Sequence, residues 1–263
     1  MKQELIRTVS RWGNSAGVLL PREWLNEEVV IIRTPKKPIH EEILKALEPY
    51  LDKVIAAWLY GSHARGEATK DSDVDVFVIS SEKFKITKKG FDVIVITPDN
   101  IKKALDFNPI LMYSIIREAK PIINSALLNE LKLQKIESKK FKDFVESTKR
   151  IIKIDKGFLE MDKEEGAGYV SESVVYSAIL RLRGIFIIKC LTKGSRFSNN
   201  LFKTWLKSKI KSLDFESAYK IYTAIRSDKE PEAKIELKSA FSLSELLEKE
   251  VKKLEELIKQ NGK

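Results

Sequence analysis

The chain has 263 residues, 43% of them hydrophobic and 33% charged, with 48 Lys and Arg against 38 Asp and Glu and a formal net charge of +10. That apolar share excludes a wholly disordered chain, no apolar run approaches the ~18 residues of a membrane span, and the lone Cys190 excludes an intramolecular disulfide. The opening Met-Lys-Gln-Glu lacks the apolar core of a secretion signal, so the expected location is cytoplasmic, with no membrane partner.

Residues 4–33 predict a small β unit. An apolar stretch runs into a turn at Trp12-Gly13-Asn14-Ser15, and a second stretch ends at Pro21. A short helical turn around residues 22–25 then leads into a third run over 28–33. Even domains of ~60 residues are marginal, so this unit of residues 1–37 needs a partner to bury a core. The string from Arg11 to Pro21 resembles the SpoVT/AbrB-like swapped-hairpin family, which includes the MazE-type antitoxins. The resemblance implies an obligate homodimer and a DNA-binding face, with Arg7 and Arg11 as phosphate or base contacts and Asn14 in the turn. Leu19 stands where that family often carries a basic residue, and a module for dimerisation alone is the other reading. Trp12 and Trp24 read as core or interface anchors.

Thr34, Pro35 and Pro38 mark a stiff boundary. A helix then begins, with Ile39, Ile43, Leu44 and Leu47 on one stripe. Strands are expected over 53–60, 74–79 and 91–97, helices from 98 and over 109–119, and a short strand at 121–123. Residues 38–125 therefore predict an α/β core with a small mixed sheet.

The chemistry sits at the ends of those strands. The first closes on Gly61-Ser62, the second opens ten residues later with Asp73-Val74-Asp75, and Asp92 lies in the third. Residues two apart in a strand point the same way, so Asp73 and Asp75 share a face. Two anions side by side repel unless a cation lies between them, and a carboxylate in an apolar run needs a partner. A divalent metal answers both demands. Gly61 lets a phosphate approach the backbone, and the Ser62 hydroxyl can donate to phosphate oxygens. Arg65 is a loop cation placed to offset triphosphate charge, whereas Lys70 and His63 read as ordinary loop residues.

This order of parts resembles the nucleotidyltransferases of the DNA polymerase beta superfamily, in particular the minimal and kanamycin-type members, over about residues 39–123. The resemblance implies that Asp73, Asp75 and Asp92 are catalytic and hold two Mg²⁺ ions, with Gly61, Ser62 and Arg65 on the nucleotide. The substrate is an NTP, by family habit ATP. NMP passes to an acceptor hydroxyl with release of pyrophosphate, and Asp92 takes the hydroxyl proton. The acceptor is a small molecule, a toxin-like protein or an RNA end.

Residues 126–263 predict an all-α bundle and hold 29 of the cations against 21 anions. One or two long helices are expected up to Gly166. Others follow over 171–191, 200–211 and 215–226, and a last one over 243–259 opens on Ser242-Leu243-Ser244-Glu245 as a capping box. The segment 169–191 resembles the bundle of kanamycin-type transferases and the related HEPN domains. Ribonuclease members of the latter carry an Arg followed four to six residues later by His. Neither Arg181 nor Arg183 has that His, so nuclease activity is not expected. Glu172 is a candidate auxiliary base or a helix-start acid. A second functional reading is a DNA-binding, antitoxin-like regulator using the transferase fold as a nucleotide sensor or scaffold.

Overall fold

In the N-terminal part, Gly13 takes a positive φ of 55° and turns β1 (Ser10–Trp12) back on β2 (Ser15–Gly17) in antiparallel register, Arg11 opposite Ala16. Arg11 Nε donates to the Gly13 carbonyl at 3.1 Å. Pro21 then leads into a 3-10 turn, Arg22–Trp24. The computed structural model describes residues 7, 9–29, 38–211 and 213–260; most of the predicted strand over 28–33 and of the boundary at 34–38 lies outside them. The chain divides into two compact units, Met1–Pro38 and Ile39–Lys263.

The second unit is built on a four-stranded sheet in the order β5-β4-β3-β6, where β3 is Val54–Leu59, β4 Val74–Ser80, β5 Phe91–Ile96 and β6 Lys120–Ile123. The pairs β3·β4 and β3·β6 are antiparallel, and β4·β5 is parallel. Parallel neighbours are usually joined through a helix. Here residues 81–90 make the crossing without one, and Phe84 and Ile86 pack on the sheet instead.

Alternation along the two central strands divides the core. Ala57, Leu59, Val74, Val76 and Val78 face α1 (Ile39–Leu47), whose Ile43 and Leu47 are fully buried against them. Leu44, expected on the same stripe, is 41% exposed, because the 3.6-residue repeat turns it to the edge of that face. Ala56, Trp58, Phe77 and Ile79 face the other way, toward α3 (Pro98–Phe107), α4 (Pro109–Glu118), α5 (Ser125–Leu133) and the bundle.

The bundle consists of α6 (Lys142–Glu164), α7 (Glu172–Thr192), α8 (Asn199–Lys209), α9 (Phe215–Arg226) and α10 (Leu237–Gln260). Helix α7 buries residues around most of its circumference and is packed by α4, α6, α9 and α10, with its Arg181, Arg183 and Lys189 only partly exposed. Gly184 in α7 makes room for the Phe144 ring of α6: a Cβ there would meet that ring at 2.6 Å. The last helix starts six residues before its expected start at 243. Leu237 and Ala240 extend the apolar stripe, and the supposed capping box lies inside the helix, where the Ser242 hydroxyl donates to the Lys238 carbonyl. Among the described residues no helix is long and apolar enough to cross a membrane.

Candidate active site

Asp75 and Asp92 are opposite one another in the parallel β4·β5 register. Their neighbours settle which face they occupy. Val74 and Val76 lie in the α1-side core, as do Phe91 and Val93, while Phe77, Ile79, Ile94 and Ile96 belong to the bundle-side core. Alternation therefore puts Asp75 and Asp92 together on the bundle side, at the N-terminal ends of their strands. Burial first, and then the Asp92 charge, push the Asp75 carboxyl up to about 6, with Arg65 opposing. Asp73 stands just ahead of β4, exposed, two residues from Asp75 and so in the same phase of alternation. Asp92 is also exposed.

The turn after β3 is shaped around Asp75. Gly61 opens the short helix α2 (Gly61–Arg65) at φ +70°, and a Cβ on it would lie 1.9 Å from Asp75 Oδ2. Only glycine allows both the left-handed backbone and this approach. The Ser62 backbone N–H donates to the Asp75 carboxylate. Gly61 N–H donates to Glu118 Oε1 at 2.9 Å, and Arg65 Nη1 reaches Glu118 Oε2 at 2.6 Å. Arg65 Nε also pairs with Glu67 at 2.9 Å. The loop cation assigned to the triphosphate is thus held between two carboxylates. His63 Nε2 lies 3.3 Å from the Ser72 carbonyl oxygen and ties the loop across, and Lys70 is exposed.

The bundle reaches the same place. Glu67 accepts from the backbone N–H groups of Asn199 and Asn200, at the start of α8, where the helix dipole favours an anion. Burial raises the Glu67 carboxyl, but Arg65, Ser198 and those N–H groups outweigh it and hold it below the usual range. Phe197 lies between two guanidinium groups, Arg65 at 5.5 Å and Arg183 at 4.9 Å. Arg181 instead covers Phe144 and donates to the Ser147 hydroxyl at 3.0 Å. The phenol of Tyr60, buried at the end of β3, is pushed up by burial and then by the charges of Asp75, Asp92 and Glu118. Glu118, Glu67, Tyr60 and Phe197 went unmarked in the sequence. Glu67 stands only two residues from Arg65, but the other contacts here bridge up to 133 residues of chain, which no short-range spacing signals.

Hard oxygen donors in adjacent register, one of them pushed toward protonation by burial and then by its neighbour, fit a divalent cation such as Mg²⁺, which takes a few carboxylates and completes its shell with water and phosphate oxygens. Among the described residues no group of three His, Cys, Asp or Glu is already gathered around one point for a metal. The protein's share is therefore the Asp75–Asp92 pair, with Asp73 beside it on exposed backbone. The N-terminal residues Arg7, Arg11 and Asn14 are exposed and belong to the other compact unit.

Residues 38–156 match the family model described as "Nucleotidyltransferase domain". No protein of curated function matches. Among solved structures, the chain is similar to a nucleotidyltransferase-like protein from Exiguobacterium sibiricum 255-15. That likeness has 14% identity and a TM-score of 0.39, over 82% of this chain and 75% of that one. It is also similar to the spectinomycin adenyltransferase AAD(9) from Enterococcus faecialis, solved with ATP and spectinomycin, at 16% identity and a TM-score of 0.40, over 81% of this chain and 96% of that one. The family match spans the Gly61 turn, the paired aspartates and Glu118, and supports a nucleotidyltransferase enzyme on that segment.

Proposed function

We propose that this domain moves a nucleoside monophosphate from an NTP to an acceptor hydroxyl: the acceptor oxygen bonds to the α-phosphorus, the bond to the bridging oxygen breaks, and pyrophosphate leaves. The observation that carries the reading is the register pairing of Asp75 with Asp92, Asp75 lying directly against the bare Cα of Gly61. Asp75 and Asp92, joined by Asp73, would hold Mg²⁺, two ions in the full arrangement, which when bound offset charge on the attacking and leaving oxygens. Asp92, exposed at the strand end, accepts the hydroxyl proton. The Ser62 hydroxyl serves the phosphate oxygens, and Gly61 keeps that approach open. Arg65 lends its charge from its place between Glu118 and Glu67 and fixes the turn through Glu118. ATP is the donor by resemblance.

Incubating the purified chain with Mg²⁺ and each α-labelled NTP tests this. Labelled product and pyrophosphate should form and should be lost in Asp75→Asn and Asp92→Asn, and on chelation of the metal. Undiminished transfer in Asp75→Asn refutes the assignment. For the N-terminal unit we propose homodimerisation, since Trp12, Leu19 and Leu25 are 58%, 71% and 74% exposed and gain cover in a paired module. A monomer by light scattering at micromolar concentration would refute it.

A further inference from the structure

A cationic surface beside the site has no part in the chemistry above. A cleft of about 750 Å³ opens between the end of α5, residues 134–139 and the end of α7. Its walls carry Arg117, Lys135, Lys139 and Lys193 against one carboxylate, Glu137. Among the described residues only Lys139 of these four pairs with an anion, Glu137 at 2.8 Å. Lys132 stands nearby, its ammonium pushed down by burial and then by Arg196 and Arg117, a sign of crowded positive charge.

Three further observations select the occupant. The cleft is tied to the site through one helix end: Arg117 in its wall is followed by Glu118, whose carboxylate holds Gly61, and Lys132 Nζ donates to the Ala119 carbonyl at 3.0 Å. It is elongated, because a second cleft of about 400 Å³ shares Gln134, Lys135 and Glu137 with it and adds Lys102 and also Lys140, the latter paired with Asp106 at 2.6 Å. Its lining includes an apolar side chain in open solvent, Leu133, 87% exposed, which a small inorganic anion has no use for but the face of a base does.

We propose that this track binds the phosphodiester backbone of a single nucleic-acid strand, and that the strand presents the acceptor hydroxyl to the aspartate pair. The binding stands on the cleft alone, while the acceptor role rests on the transfer reading. A row of cations spaced along a groove follows a polyphosphate chain and repels a cationic small acceptor.

Fluorescence anisotropy of the full chain with a labelled mixed-sequence RNA 20-mer, and with the matching DNA strand, tests it without any chemistry. Four phosphate contacts at a slope of about −0.7 each predict a loss of roughly 50-fold in affinity between 50 and 200 mM salt. The double variant Lys135→Glu with Lys193→Glu, both exposed, should bind at least tenfold more weakly and show a fall of only about 7-fold over the same range. Lys229→Glu with Lys238→Glu, also exposed and equal in charge change, should bind like wild type. Preference for RNA or equal affinity for both strands each support backbone recognition. Asp75→Asn should bind the strand normally yet transfer no label, so that failure of the chemistry and failure of the cleft are told apart. The proposal is overturned by no strand binding at 50 mM salt, by equal losses in the two charge variants, or by displacement of RNA by polyglutamate of matched charge as effective as by unlabelled RNA.

Discussion

Replacing Gly61 by Ala separates the site's geometry from its stability. The added methyl would stand 1.9 Å from Asp75 Oδ2, 2.6 Å from its Cγ and 3.0 Å from its Cβ, at a backbone φ of +70°. A left-handed alanine costs about 1–2 kcal/mol by itself. Relieving the overlap requires Asp75 to swing away, which gives up the Ser62 N–H bond and adds about 1–2 kcal/mol. The sum is roughly 3 kcal/mol, or about 6–12 °C in Tm for a unit of this size. Gly66→Ala supplies the comparison: it has φ +75° and nothing within 4 Å of its Cβ, so it carries only the backbone cost of about 1–2 kcal/mol. Differential scanning fluorimetry and labelled-NTP transfer are then read on both. Gly61→Ala should lose transfer by far more than its stability explains, and Gly66→Ala should keep it. If the two variants are equal in Tm and activity, the close approach of Asp75 to this glycine is not what the position is for.

Other substitutions probe the surrounding contacts. Glu250, 1% exposed, is bonded by Lys189 and Lys253, and Glu250→Ala should destabilise by about 3 kcal/mol by stranding Lys189. Burial raises the Glu250 carboxyl but the two lysines outweigh it, so its folded value lies below 4.5. The stability it gives is therefore complete above about pH 4.5 and fades as pH falls further, which the Tm gap to Glu250→Gln should follow. Asp75→Asn should stabilise by about 1 kcal/mol in metal-free buffer, read as a higher Tm, as it removes a partly buried charge and then its repulsion from Asp92 while retaining an acceptor for Ser62. Gly184→Ala should lower Tm despite the better helix propensity, because Phe144 at 2.6 Å must be displaced, and an unchanged or higher melting point would show the ring relaxes freely.

Much of this was legible in the chain. The sheet follows from apolar runs bounded by turn residues, and the pairing of Asp75 with Asp92 follows from alternation once the strands are parallel neighbours, since each aspartate is flanked by residues of the opposite core. Glu118 was hidden because it ends a helix in an ordinary way, and only the turn of that helix onto Gly61, 57 residues away, gives it a purpose. The start of α10 was misplaced because Ser-x-x-Glu is a helix-start signal only when nothing upstream keeps the apolar stripe going, and Leu237 and Ala240 do. Arg65 was readable as a cation near phosphate, and Glu67 stands two residues on, but its other carboxylate partner, Glu118, lies 53 residues away at the end of a helix that sequence spacing does not connect to it.

The contact of Glu67 with the start of α8 has a consequence for how the chain can be cut. The family-matched segment ends at residue 156, inside α6, while Arg65 is balanced in part by Glu67, which in turn needs the N–H groups of Asn199 and Asn200. A fragment stopping there would keep the aspartates and lose the far anchor of their turn. Residues from 39 onward should accordingly melt in one cooperative transition, with catalytic half and helical half each unable to stand as an autonomous module.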